Sequence, residues 1–237
     1  MRIARWVLSV TVAVLLAVGH VTATARRGGA VFPFVAGTSW TYAGTVKWTD
    51  DRNRPRNRDV RWSSEVVEAF DHDDVAGALL RGGVWDLAWW SPQARHGTYA
   101  VVRVGTRFYL LHDHAAKSAF ASLKASGLDA RPADLEYSRW FDAPLEKGEL
   151  HRPPDRLPRD DSMYGWWIES AEPVALDVPG LASATRTSYR LSYLTLPDEQ
   201  HLTFVPGVGI TSFVYVHHGT VAEAHVHLVA YRPGRAK

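Results

Sequence analysis

The sequence predicts a mostly β protein: a single antiparallel, strongly bent sheet or partly open barrel with one amphipathic helix, the alternative being a two-sheet sandwich. Three observations lead there. Aromatic and β-branched residues alternate with a period of two in segment after segment. Gly, Pro, Asn and Asp punctuate these segments at short intervals. One stretch alone switches to three- and four-residue spacing.

The elements follow in order. FPFVAGTSWTYAGTVKW (32–48) turns at Gly37 and then alternates, with Trp40, Tyr42 and Gly44 sharing one face. The charged stretch DDRNRPRNRD (50–59) reads as a hairpin tip, and VRWSSEVVEAF (60–70) as the returning strand. DHDD (71–74) is the next turn. VAGALLRGGVWDLAWW (75–90) reads as two short strands around Gly82-Gly83, closed by Ser91-Pro92. TYAVVRV (98–104) and RFYLLH (107–112) flank Gly105-Thr106 as a hairpin. Asp113 then caps a helix over 115–126, where Ala116, Phe120 and Leu123 recur on one face and Gly127 stops it. That helix is expected to cover an opening of the curved sheet. Residues 130–161 hold eight acidic residues and Pro153-Pro154, and read as an irregular excursion anchored by Trp140 and Phe141. Strands return at 163–170, 185–195, 201–205, 209–217 and 220–231. Because sequential strands with short turns pair as neighbours, they form a meander.

The expected organisation is a signal peptide over 1–25, a linker over 26–31, one domain over 32–232 and a tail over 233–237. Arg2 and Arg5 precede an apolar run from Trp6 to about Val18. VTATA then puts Ala23 and Ala25 at the small-residue positions of a cleavage site. The apolar run falls short of the ~20 residues that cross a bilayer, so no transmembrane span is expected after cleavage. A secreted or periplasmic location follows.

Charge and composition exclude several classes. The chain carries 27 Lys+Arg against 25 Asp+Glu. Loss of Arg2 and Arg5 with the leader brings the balance to neutrality, which argues against nucleic acid as a partner. With no cysteine there is neither a disulfide framework nor a thiolate site, so a core must supply the stability. Of the ten tryptophans, the nine beyond the leader are available for it.

Two segments carry a resemblance. GTSWTYAGTVKW near the start and FVPGVGITSFVYVHHGTVAEAHVHLVAY at the end resemble an uncharacterised family of exported bacterial β-rich proteins. Its members open with a G-x-x-W-x-Y strand and close with a P-G-[VI]-G turn and an aromatic hairpin. The resemblance implies the fold and the export and no catalytic residue. Locally, Pro206-Gly207-Val208-Gly209 is a turn between strands, not a nucleotide loop, and His218-Gly219 fits a two-residue hairpin turn.

Two candidate sites stand out. In VWDLAWW, Trp85 and Trp89 share one strand face and Trp90 the other, and Trp166 and Trp167 divide likewise. These five rings exceed the needs of one core face and point to a site for a hydrophobic small molecule, a glycan or an envelope protein partner. The simpler reading is a sheet covered on both sides. E-x-H-x-H puts Glu223, His225 and His227 on one strand face, an arrangement that a divalent metal accepts. Against this, Ala222, Ala224, Val226, Leu228 and Ala230 claim the inner face and send the three to solvent. No cofactor is required by the sequence. The expected function is non-catalytic binding, with a metal-dependent enzyme or a purely structural envelope protein as alternatives.

Overall fold

The structure, a computed structural model, describes residues 31–235 except Asp73. The expected leader lies outside the described residues. Twelve strands form a single antiparallel sheet: β1 (Ser39–Thr49), β2 (Pro55–His72), β3 (Val75–Arg81), β4 (Thr98–Val104), β5 (Arg107–His112), β6 (Arg139–Asp142), β7 (Leu150–His151), β8 (Trp166–Leu176), β9 (Ala184–Leu194), β10 (Asp198–Val205), β11 (Gly209–His217) and β12 (Glu223–Arg232). One helix, α1 (Asp113–Ser126), follows β5. The strand order is β6-β5-β4-β3-β2-β1-β12-β11-β10-β9-β8-β7. Two six-stranded meanders therefore meet where β1 pairs with β12, and their far edges, β6 and β7, are consecutive in the chain. Those edges approach within 8 Å at their Cα atoms without pairing, so the sheet is a nearly closed barrel with one seam. This is the predicted bent sheet; the sandwich is not adopted.

Curvature has a local cause. Register shifts interrupt five strand pairings, at Thr41/Tyr42, Val66/Glu68, Phe108/Tyr109, Ile168/Ser170 and Thr203/Phe204. Each adds twist and bends its strand. The shift in β2 also reverses the side-chain parity. Trp62 and Val66 face the interior, whereas Phe70 faces outward and meets Phe120 of α1 edge-on at 5.2 Å. Gly77, opposite Phe70 on β3, leaves room for that ring: a Cβ there would stand 2.5 Å from it.

The interior is one large apolar cluster fed by every side of the barrel, with Trp40, Tyr42, Trp140, Phe204 and Phe213 all buried. Trp140 of β6 packs on Phe204 of β10 at 5.7 Å and on Trp166 of β8 at 6.4 Å, so rings rather than a hydrogen-bond ladder close the seam. A second cluster lies on the outer face of β3–β5 beneath Ala116, Ala119, Phe120 and Leu123 of α1. The helix thus covers the outside of the wall and not an opening. Strands β4 and β5 are apolar on both faces, and their outer face has to be buried as well.

Other local expectations are corrected. The charged tip is shorter, since β2 resumes at Pro55. Asp50 binds the turn by accepting from the backbone of Arg52 and Arg54 and from both guanidinium groups of Arg54 and Arg56. His112, not Asp113, is the N-cap of α1, while Gly127 caps its C-terminus as predicted. Residues 130–161 contain both edge strands, and Trp140 and Phe141 anchor them fully buried. The β11–β12 turn spans 218–221, because His217 pairs its N–H with Ala222 O at 2.9 Å. Among the described residues no helix is long and apolar enough to cross a membrane.

Candidate functional site

Between β3 and β4 the chain does not return by a tight turn. Residues 82–97 leave the sheet and fill its concave side, with Gly82 N donating to Gly97 O at 2.8 Å across the neck. Gly82 has φ +76°, and a Cβ there would stand 2.4 Å from Ser63 O, so the neck needs a glycine. Within this plug, Val84–Leu87 form one turn of 3-10 helix, not the predicted strand. The pattern VWDLAWW fits a period of two, but Val84 and Leu87 are both core residues at three-residue spacing. Asp86 holds the plug together. Its carboxylate accepts from Gly83 N (2.9 Å), Gly97 N (3.0 Å), Tyr99 OH (2.7 Å) and Trp62 Nε1 (3.2 Å). Burial and this carboxylate together push the Tyr99 hydroxyl well above the usual phenol range, which keeps it a donor.

Beside the plug a pocket of about 430 Å³ opens at the seam. The plug contributes Trp85 and Ala88; β4 and β5 contribute Tyr99 and His112; the two edges contribute Arg139 and His151; and Trp166, Tyr193 and Gln200 form the wall beyond. Its rings are mutually braced. Trp85 contacts Tyr99 at 5.3 Å and Trp140 at 6.0 Å, and Trp166 contacts Tyr193 at 5.3 Å. Polar groups are few and distinct. Arg139 donates its Nε to Asp142 at 3.1 Å. The His151 side chain is 7% exposed and lies 3.4 Å from Glu149 Oε2 without a hydrogen bond to it. Burial lowers its proton affinity below that of ordinary histidine, more than the nearby Asp142 and Glu149 raise it. The buried Trp85 Nε1 has no acceptor. An aromatic box with the guanidinium of Arg139 among its lining suits an apolar body that carries oxygen acceptors.

The five predicted tryptophans are thereby separated. Trp85 and Trp166 line the seam pocket. Trp89 and Trp90 line another concavity, bounded by the β1–β2 and β11–β12 turns. Trp167 lies on the opposite face of β8 from Trp166, cross-strand from Ser192 and Leu150. In the sequence only His112, half of an H-x-H pair with His114, stands out among Tyr99, His112, Arg139, His151 and Tyr193. The others sit in unremarkable local patterns, and only the register of separate strands gathers them.

Glu223, His225 and His227 share the outer face of β12, as the alternation requires. Glu223 pairs with Lys47 Nζ at 2.7 Å and lies 3.7 Å from His225 Nε2. Among the described residues no group of three His, Cys, Asp or Glu side chains is placed to hold a metal ion. On the outer face of the second meander, His201 bridges Ser192 Oγ (2.7 Å) and Glu199 Oε1 (2.9 Å), while Ser192 donates to Glu169 at 2.8 Å. The order nucleophile–base–acid is suggestive, but Ser192 is only 2% exposed, so no substrate carbonyl reaches its oxygen. These contacts form a polar ladder between strands.

No family model matches the sequence, and no curated protein is similar to it. Two solved structures align along most of the chain. One is a protein of Bacteroides fragilis whose name proposes export and a YmcC-like fold: TM-score 0.41, 13% identity, 85% of this chain and 98% of the other. The second, from Parabacteroides distasonis, is named as a proposed lipoprotein: TM-score 0.41, 10% identity, 85% and 97%.

Proposed function

We propose that this chain is an exported, non-catalytic binding protein whose seam pocket takes a hydrophobic small molecule with an acceptor-oxygen head, such as a carboxylate-ended acyl chain. The leader-like first 25 residues support the export. The observation that carries the binding reading is the pocket of about 430 Å³, within the ~300–1,000 Å³ usual for small-molecule sites. Trp85, Tyr99, Trp166 and Tyr193 offer the apolar body its walls, and the guanidinium of Arg139 offers the head a charged donor. Entry is through the seam, where β6 and β7 share no backbone hydrogen bonds and can part without breaking a ladder.

Titration of the processed protein with dodecanoate, followed by tryptophan fluorescence, tests this. Binding is expected to saturate, and Trp85→Ala and Trp166→Ala should each weaken it about tenfold, or ~1.4 kcal/mol. Native mass spectra free of any co-purified ligand, together with a flat dodecanoate titration, would end the reading.

A further inference from the structure

The second concavity has a volume of about 610 Å³ and a different chemistry. Three tryptophans reach it: Trp48 from the end of β1, and Trp89 and Trp90 from the far side of the plug. Trp89 is 54% exposed, an unusual state for so large a ring. It is held there. His217 packs against it at 4.2 Å and Tyr215 at 6.3 Å, and Asp198 fixes both partners by accepting from Tyr215 OH at 2.7 Å and bonding His217 Nδ1 at 2.9 Å. The Trp89 backbone is at φ +55°, a conformation that bulky side chains avoid. Strain of this kind persists where the surroundings enforce it, and it concentrates at binding sites. Trp90 supplies an independent sign. It is 8% exposed, lines the concavity, and its buried Nε1 has no acceptor.

Around the rings stand short polar groups: the carboxylate of Asp51, the amide of Gln93 and the hydroxyl of Thr220. Asp50 is consumed by Arg54 and Arg56, so its charge is already answered. We infer that this end of the barrel is a carbohydrate site for neutral hexose or N-acetylhexosamine oligomers, separate from the seam pocket. A pyranose ring has an apolar C–H face that stacks on an exposed indole and a rim of hydroxyls that both donate and accept. Asp51 accepts from such hydroxyls, and the amide of Gln93 both donates to them and accepts from them. A proline-rich peptide would also stack on the rings, but its carbonyls cannot donate to a carboxylate.

The test uses the full processed chain with cellohexaose, chitohexaose and maltohexaose in turn, read by calorimetry and tryptophan fluorescence, with decaproline as the competing probe. At least one oligosaccharide is expected to bind and quench fluorescence. Trp89→Ala should weaken that binding at least tenfold, with Trp89→Tyr recovering part of it. Trp166→Ala, on β8 and away from the segment that carries Trp89 and Trp90, should leave it unchanged. Because Trp89 is exposed, its variants keep the fold, and far-ultraviolet dichroism verifies that. Failure of all three sugars to bind, binding of decaproline alone, or equal sugar affinity in Trp89→Ala would overturn the inference. None of these outcomes bears on the dodecanoate experiment.

Discussion

The two halves of the sheet have equal strand numbers and opposite surfaces. In the first meander, β4 reads Tyr99, Ala100, Val101, Val102 with every residue buried, because the plug and core lie on one side and α1 on the other. In the second, Leu191, Leu202, Phe204 and Phe213 point inward, while Arg190, His201, Thr203 and Ser212 form a polar outer face that is partly open to solvent and covers Ser192. One continuous sheet thus combines the two-sided burial usual for covered sheets with the one-sided burial of an exposed one. Coverage is decided locally, by whether a strand alternates or runs apolar. Pro173 follows the same logic: it sits in β8 beyond the short pairing with β7, where its missing N–H costs no ladder bond.

The sharpest way to break this contrast is Phe120→Ala. It removes the ring that α1 sets against Phe70, and unfolding by urea should show a loss of about 3–5 kcal/mol. Next is Asp86→Ala, which strands two backbone donors, a phenol and an indole inside the plug. A loss of about 3 kcal/mol is expected, together with weaker dodecanoate binding, since Trp85 rides on that turn. The third concerns pH. His151 is buried with its proton affinity lowered, so the unfolded chain takes up the proton first. Its contribution is therefore complete above the unfolded value near ~6.5 and declines as pH falls from there through the lower folded value. His151→Asn should flatten the fall in melting temperature over that interval, whereas an unchanged profile would remove His151 from the seam's acid response. The smallest effect belongs to the outer face. Lys47→Ala breaks a pair whose lysine is 44% exposed, and stability should change by no more than ~0.5 kcal/mol.

The same contrast explains what was legible beforehand. From Phe213 to Val216 and from Glu223 to Leu228 the alternation holds and sets Glu223, His225 and His227 on one shared face, but it breaks beyond Leu228, where an extra residue opposite Thr41/Tyr42 leaves Ala230 only half-buried. In VWDLAWW the apolar residues satisfy two periods at once. The plug took the three-residue one because the barrel interior needed filling, and Trp85 and Trp89 then went to different cavities. With four and two residues, β6 and β7 are too short to display any period, and long-range ring packing defines them instead. Nothing local marks His151 or Tyr193 as neighbours across a cavity. That proximity exists only once the ends of the sheet have come round to each other.

The placement of those ends has a further outcome. Any sheet that fails to seal itself offers unpaired strands on which another copy can grow, the first step towards fibres. Here the two unsealed borders are brief, face one another, and are tethered by residues 143–149, a leash of on the order of 25 Å when taut. A visiting strand finds at most four residues of bare backbone on either border and must wedge between borders that lie within 8 Å of each other. So little ladder is on offer that growth of one copy on another at this border is disfavoured.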